Sequence, residues 1–252
     1  VLFRSTAWTR ITEPDGTPGQ WYMHLFASEQ PDFNWDNPEV REDFLKTLRF
    51  WSDRGVDGYR VDVAHALVKN LKDGHLPERQ SYDLSVMKTD GTDDLFDRDE
   101  VHEIYKSWRK VFNEYQPARM AVAEAWVHAH RRPPYASTEE LGQSFNFDML
   151  GAGWDVTKVR DVVKVNLKAA ADNGTSTTWV LSNHDVIRHA TRFGMPNDTD
   201  FFRWYGKNRF NAKVDEAQGL ARAKAMTLAL LALPGSTYLY QGEELGLQEH
   251  LT

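Results

Sequence analysis

The 252-residue chain contains no cysteine, which excludes disulfide bonds and thiolate chemistry. It has no long hydrophobic run either: the longest, Ala225 to Leu233, includes a threonine and is far shorter than the roughly 20 residues that span a bilayer. No basic patch stands out and the net charge is −7, which argues against a nucleic-acid partner. A hydrophobic share of 41% and a charged share of 27% are typical of a globular enzyme, and the lack of cysteine is compatible with the cytoplasmic location that we predict.

From residue 37 onward, helical and extended segments alternate. Asn37-Pro38-Glu39 predicts a helix start, because a capping side chain precedes proline at the first helical position, and Gly55 is predicted to stop that helix. Apolar residues at three-and-four spacing predict further helices over 101–115, 159–173 and 219–233. Runs rich in β-branched and aromatic residues predict five strands, at 56–63, 120–125, 145–148, 177–182 and 237–240.

This alternation is typical of parallel strands joined by right-handed crossovers, in an open sheet or a closed barrel. Acidic residues at the strand ends favour the barrel, whose active sites lie there. A closed (β/α)8 TIM barrel needs eight strands, so five predict an incomplete barrel whose first three units precede the chain. The start, Val1-Leu2-Phe3, has no initiator methionine and no leader, in keeping with that expectation. Residues 1–36 fit neither a barrel strand nor a barrel helix and predict a separate, turn-rich segment before the barrel portion, residues 37–252.

Three acidic residues, Asp62, Glu124 and Asp185, stand at or just beyond the ends of three predicted strands. Residues two apart share one face of a strand, so a buried-looking Arg60 is expected beside Asp62, where its guanidinium would lower the pKa of the carboxyl. Glu124 lies between alanines and close to Trp126, an apolar setting that raises a carboxyl pKa. The sequence therefore predicts one ionised and one protonated acid.

Carboxylates delivered from separate strands suit glycosidic bond cleavage. Asp62 is the better nucleophile and Glu124 the better general acid. Asp185, next to His184, would bind sugar hydroxyls and stabilise the transition state electrostatically. The alternative is that all three are ordinary polar residues at strand ends, paired with loop charges.

Several weaker features accompany the acids. His65 either lines the site or satisfies backbone groups in the loop after Asp62. Phe147, at a predicted strand end, is a candidate platform for a sugar ring, although most aromatic residues are expected in the core. The long connections 66–97 and 189–218 are predicted to rim the site. No spacing of histidine and carboxylate residues predicts a metal site.

The strings GYRVDVAH, AVAEAW and LSNHD resemble three signature regions of the α-amylase superfamily of retaining glycoside hydrolases and transferases. QPDFN, at residues 30–34, resembles the extra signature of the oligo-1,6-glucosidase branch, and YQGEELG, at residues 240–246, resembles the eighth-strand segment. The resemblance spans nearly the whole chain and is strongest to bacterial, especially actinobacterial, α-glucosidases. It implies that residues 1–36 end a small domain inserted after the third barrel strand, and that the five strands are the fourth to the eighth.

Carried over residue by residue, the resemblance implies Asp62 as nucleophile, Glu124 as general acid and base, and Asp185 as transition-state stabiliser. Arg60 would orient Asp62, while His184 and Arg188 would bind the terminal glucose. The implied activity is removal of terminal non-reducing α-linked glucose from short oligosaccharides such as maltose, with retention of configuration and without a cofactor.

The chain also departs from the family pattern. No string before Gly58 matches the third-strand signature, an aspartate with an asparagine–histidine pair, so the chain as given is expected to bind sugar poorly and to be inactive by itself. Thr237 stands where family members commonly have proline. Calcium loops occur in the family upstream of the part present here.

Three functional interpretations follow. The first is an α-glucosidase. The second is a glucosyl-transferring or isomerising member of the same family, such as a transglucosidase or trehalose synthase. The third is a non-catalytic barrel that binds partners, which the presence of all three acids disfavours. The sequence leaves the choice between α-1,4 and α-1,6 linkages open, and it predicts neither a nucleic-acid nor a membrane partner.

Overall fold

A computed structural model describes residues 7–71, 87–197, 199 and 213–250. Seven strands lie within these residues: β1 (Trp8–Thr12), β2 (Pro18–Met23), β3 (Gly58–Val61), β4 (Met120–Ala123), β5 (Gly142–Ser144), β6 (Thr178–Val180) and β7 (Ser236–Tyr238). The α-helices described are α1 (Pro38–Ser52), α2 (Val101–Phe112), α3 (Arg132–Ala136), α4 (Asp148–Ala152), α5 (Val156–Asp172), α6 (His189–Arg192) and α7 (Glu216–Leu231). Parts of the two connections predicted to rim the site, 72–86 and 200–212, lie outside the described residues.

The segment before α1 contains an antiparallel hairpin in which Trp8 of β1 pairs with Met23 of β2. Its turn contains Gly16, whose φ of 84° requires the left-handed region that glycine adopts without strain. The turn was expected from the sequence, whereas the pairing was not. A partly buried ion pair ties this segment to the loop after β3, because Lys69 Nζ lies 2.6 Å from Asp32 Oδ1. Burial lowers the pKa of Lys69, and the neighbouring Asp32 opposes that shift.

The barrel strands pair in parallel, as the alternation predicts. β3, β4 and β5 form one sheet in that order, with Val61 of β3 beside Ala123 of β4. β6 and β7 form a second parallel pair, and Thr178 Oγ1 of β6 donates to the backbone oxygen of Ser144 in β5, at 2.8 Å. Parallel strands bring their carboxyl ends to one rim, where the three acids were expected.

The predicted strand at 145–148 is wrong: β5 lies at Gly142–Ser144, and Asp148 begins α4. The polar residue Gln143 is stable in β5 because its side chain finds partners on β7. Gln143 Nε2 donates to Ser236 Oγ at 2.7 Å, and the Tyr238 hydroxyl donates to Gln143 Oε1. Phe145 and Phe147, which suggested a strand, pack beyond its end.

The helices cover the strands through two apolar clusters. In the first, α1 and α2 pack on β3 and β4, with Phe44 stacked on Trp108 at 5.9 Å between ring centroids and Tyr59 stacked on Phe112 at 5.6 Å. In the second, α5 and α7 pack on β6 around the buried Trp179. The predicted start of α1 is confirmed, since Asn37 Oδ1 accepts the Glu39 N–H at 2.9 Å. Within the described residues, no helix is long and apolar enough to cross a membrane.

Candidate active site

Asp62 follows the last residue of β3 and forms an ion pair with Arg60, with Arg60 Nη1 lying 2.6 Å from Asp62 Oδ1. The expectation that the two side chains share a face is therefore confirmed. The expectation that Arg60 is buried is wrong, because β3 is an edge strand of its sheet in the described part of the chain and both side chains reach solvent. An exposed ion pair of this kind orients the carboxylate more than it stabilises the fold.

Glu124 follows β4 and is buried, with 6% of its surface exposed. Two N–H groups donate to its carboxylate: the backbone N–H of Val63 to Oε2 at 2.8 Å, and the Trp126 indole to Oε1 at 2.6 Å. Burial raises the pKa of Glu124, and the two hydrogen bonds oppose that shift. The predicted direction of its pKa is confirmed.

Asp62 and Glu124 are joined through the backbone between them. The Glu124 N–H donates to the Val61 oxygen at 2.9 Å, and the Ala64 N–H donates to the Glu124 oxygen at 2.8 Å. Val63 has a φ of 44°, a left-handed conformation that is rare for a β-branched residue, and this turn aims its N–H at the Glu124 carboxylate. The charge of Asp62 contributes to raising the pKa of Glu124, as expected for two acids at one rim.

Asp185 lies in the turn after β6, where its backbone N–H donates to Asn183 Oδ1 at 2.9 Å. Its carboxylate is exposed and lies 3.4 Å from His184 Nε2. None of the described hydrogen bonds or ion pairs joins Asp185 directly to Asp62 or Glu124. An apolar cluster connects the loop of Asp185 with that of Glu124, because Trp126, Phe147 and Val186 pack together at the ends of β4, β5 and β6.

His65 and Phe147 lie in packed surroundings. His65 stacks on Phe96 at 5.5 Å, and burial lowers its pKa from 6.5 to about 4. Phe147 is buried and stacks on Trp126 at 4.2 Å. Neither ring offers an open surface here, and contact of either with a substrate stays a prediction.

Arg188 is half-buried and binds the segment after β7. Its Nη1 donates to the Gln241 oxygen at 2.7 Å, and its guanidinium lies 4.6 Å from the centre of the Tyr240 ring. Residues 240 and 241, after β7, therefore lie against the loop that carries Asp185, as expected for the ends of neighbouring barrel strands.

The sequence reasoning missed two contributors to this site. The first is the left-handed turn at Val63, which no residue type in the string GYRVDVAH indicates. The second is the indole N–H of Trp126, which was noted only as an apolar neighbour, although tryptophan always carries a donor. As to metals, no group of three or more histidine, aspartate or glutamate side chains among the described residues is placed to hold an ion.

Comparison with known proteins gives the family. The model of the α-amylase catalytic domain matches residues 2–251. The chain is 30% identical to an oligo-1,6-glucosidase of Heyndrickxia coagulans over 98% of its own length and 42% of that protein. It is 29% identical to an α-glucosidase of Candida albicans, over 97% of the chain and 41% of that protein.

Solved structures agree with this result. The α-glucosyl transfer enzyme XgtA superposes with a TM-score of 0.71 at 27% identity, over 96% of this chain and 42% of that one. The chain spans about two fifths of the length of the curated relatives it matches. The predicted fold, part of a (β/α)8 barrel, is confirmed, and the chain belongs to the α-amylase family.

Proposed function

We propose that the full-length protein carrying this chain is an α-glucosidase that removes terminal glucose from short α-glucosides with retention of configuration. One observation carries the proposal: an Arg60-flanked Asp62 and a buried Glu124 with a raised pKa stand at adjoining strand ends. This is the combination of an ionised nucleophile and a protonated general acid that a retaining glycosidase needs.

The reaction proceeds in two displacements. Asp62 Oδ2, which is not engaged by Arg60, attacks the anomeric carbon while Glu124 transfers its proton to the departing glycosidic oxygen. The product of this step is a glucosyl ester on Asp62 and a released alcohol. Ionised Glu124 then takes a proton from water, whose oxygen attacks the same carbon and frees Asp62. In the complete site the two carboxyl groups would stand about 5 Å apart, as retaining enzymes require.

The remaining residues of the site bind the glucosyl ring and orient the catalytic carboxylates. Arg60 fixes the carboxylate of Asp62, and Asp185 stabilises the positive charge that develops on the glucosyl ring. His184 and Arg188 bind hydroxyls of the same ring. His65 and Phe147, whose rings stack on Phe96 and Trp126, complete the proposed substrate contacts.

We also propose the nature of residues 1–36, the absence of a cofactor and the location of the protein. Residues 1–36 are the end of an inserted small domain, supported by an antiparallel hairpin whose pairing differs from that of the parallel strands. The reaction uses no cofactor, supported by a site chemistry of acids and donors alone, and a calcium site belongs to the upstream part of the family's fold. The proposed location is cytoplasmic, with which the lack of cysteine is compatible.

The test uses two substrates with different leaving groups. Glu124→Gln is expected to lower kcat on maltose by about 10²–10⁴-fold, and to lower it far less on p-nitrophenyl α-glucoside, whose leaving group needs little protonation. Asp62→Asn should abolish both activities, whereas Asp161→Asn, an exposed site on α5, should change neither. If Asp62→Asn retained glucoside cleavage, the proposal would be overturned.

A second function, glucosyl transfer, is favoured by the structural similarity to the α-glucosyl transfer enzyme XgtA. In a transferase, a sugar hydroxyl replaces water in the second displacement. Product analysis with maltose as the sole substrate separates the two activities. Glucose alone at early times indicates hydrolysis, and early appearance of trehalose or longer oligosaccharides indicates transfer.

A further inference from the structure

Arg192, at the end of α6, is a buried arginine that the reaction above does not use; only 2% of its surface is exposed. Its guanidinium donates to two backbone oxygens, with Nη2 at 2.7 Å from the Leu181 oxygen and Nη1 at 2.9 Å from the Ile187 oxygen. These oxygens flank residues 182–186, the turn that carries His184 and Asp185. One rigid, planar cation thus holds both ends of the turn.

The exposed part of the turn has few partners of its own. Asp185 and His184 approach each other at 3.4 Å, and Asn183 caps the Asp185 N–H. On the buried side, Ser182 Oγ accepts the His189 N–H at 2.9 Å. The position of the Asp185 carboxylate is therefore determined from the interior, through the backbone ends that Arg192 binds.

A buried charge is a costly way to hold a turn. Burial lowers the pKa of Arg192 to about 10, which leaves the side chain charged at neutral pH. The charge of Glu243, whose carboxylate is buried beside His189 Nδ1 at 3.3 Å, acts in the opposite direction and favours the cation. Removing one member of such a buried set leaves the other charge uncompensated, so an apolar side chain at position 192 is not an equivalent replacement.

We propose that Arg192 is a positioning residue that sets the location of Asp185 at the active site. This inference rests on the proposed function, because it acts through the role assigned to Asp185. A displacement of about 1 Å at a reacting centre can reduce the rate about 100-fold, which is the loss expected when the turn is released.

The first experiment measures the mobility of the turn's backbone directly and does not depend on enzymatic activity. Hydrogen exchange of the full-length protein, followed by mass spectrometry, should show faster exchange over residues 182–187 in Arg192→Met. Arg192→Lys, which can reach only one of the two oxygens, should give a smaller increase and is the milder variant if Arg192→Met folds poorly. Arg222→Met is the matched control, since Arg222 also donates to a backbone oxygen, that of Phe193 at 2.9 Å, but not to this turn. Unchanged exchange over 182–187 in both Arg192 variants would overturn the proposal.

The second experiment asks whether Arg192 acts through Asp185. Arg192→Met should lower kcat about 100-fold and leave KM nearly unchanged, because the lost interaction is specific to the transition state. In an Asp185→Asn background the same substitution should have almost no further effect. Equal losses in both backgrounds would show that Arg192 supports the fold in general and would overturn the positioning role. If the unsubstituted protein cleaves no glucoside, the proposed function fails, while the exchange result still decides whether Arg192 holds the turn.

Discussion

Trp126 offers a direct way to shift the ionisation of Glu124. Its indole N–H donates to Glu124 Oε1 at 2.6 Å, and its ring stacks on Phe147. Trp126→Phe removes the donor and keeps an aromatic ring for the stacking contact. We expect this substitution to raise the pKa of Glu124 further, because one of the two hydrogen bonds that favour the ionised carboxylate is lost.

The expected size of the Glu124 pKa shift follows from the strength of the hydrogen bond that Trp126 donates. A hydrogen bond to a charged group contributes about 1.5–3 kcal/mol, and burial of Glu124 prevents water from replacing the lost donor fully. Because about 1.4 kcal/mol corresponds to a tenfold change in an equilibrium, the ratio of protonated to ionised Glu124 at a given pH should rise about tenfold or more. A general acid must be protonated, so activity should persist to higher pH.

The assay is the pH dependence of kcat/KM with maltose as substrate. The alkaline limb of this pH profile should move to higher pH in Trp126→Phe. Titration of the protein carrying carbon-13-labelled glutamate, followed by NMR, gives the same quantity without turnover. Trp179→Phe is the control, because Trp179 also donates one indole hydrogen bond, to the Pro234 oxygen at 2.8 Å, at a position on β6 away from Glu124. An alkaline limb that stays in place, or moves to lower pH, in a folded Trp126→Phe protein would refute the reasoning.

Three further predictions concern stability and are checked by urea denaturation. Burial lowers the pKa of His65 to about 4. The contribution of the neutral ring to the free energy of unfolding is therefore fully present above pH 6.5 and falls by up to about 3 kcal/mol as the pH is lowered toward 4. His65→Phe should reduce this pH-dependent loss. Arg132→Ala should cost about 3–5 kcal/mol, because it leaves the buried Asn166 Oδ1 without its donor and breaks the ion pair with Asp148, whereas the exposed Arg160→Ala should cost less than about 0.5 kcal/mol. Gly235→Ala should cost about 2 kcal/mol or more, since φ is 117° and a Cβ atom would meet the Thr177 oxygen at 2.4 Å; no loss would contradict this.

The features that the sequence predicts well are those set by neighbouring residues. The start of α1 depends on Asn37 and Pro38 alone, and the Arg60–Asp62 pair depends only on the two-residue period of a strand. In both cases the physical cause lies within a few positions of the residue concerned. The direction of the Glu124 pKa shift was also predicted, from apolar neighbours, although burial in the fold produces it.

The features that it misses depend on distant partners. β5 consists of polar residues, and Gln143 is stable there because it bonds to Ser236, 93 positions later in the chain. Nothing in the string RHATRFG, residues 188–194, distinguishes Arg192, which is buried, from Arg188, which is half-buried, before the turn after β6 is folded. The left-handed conformation of Val63 likewise accompanies a hydrogen bond to a distant residue, Glu124, which follows another strand.

That conformation has a consequence for engineering. The peptide group that joins Asp62 to Val63 also donates its N–H to Glu124, so residue 63 cannot be varied without affecting the site. In a library randomised at position 63, active variants should contain glycine, asparagine or aspartate more often than the aliphatic residues closest to valine in volume. The first three residues tolerate the left-handed backbone conformation.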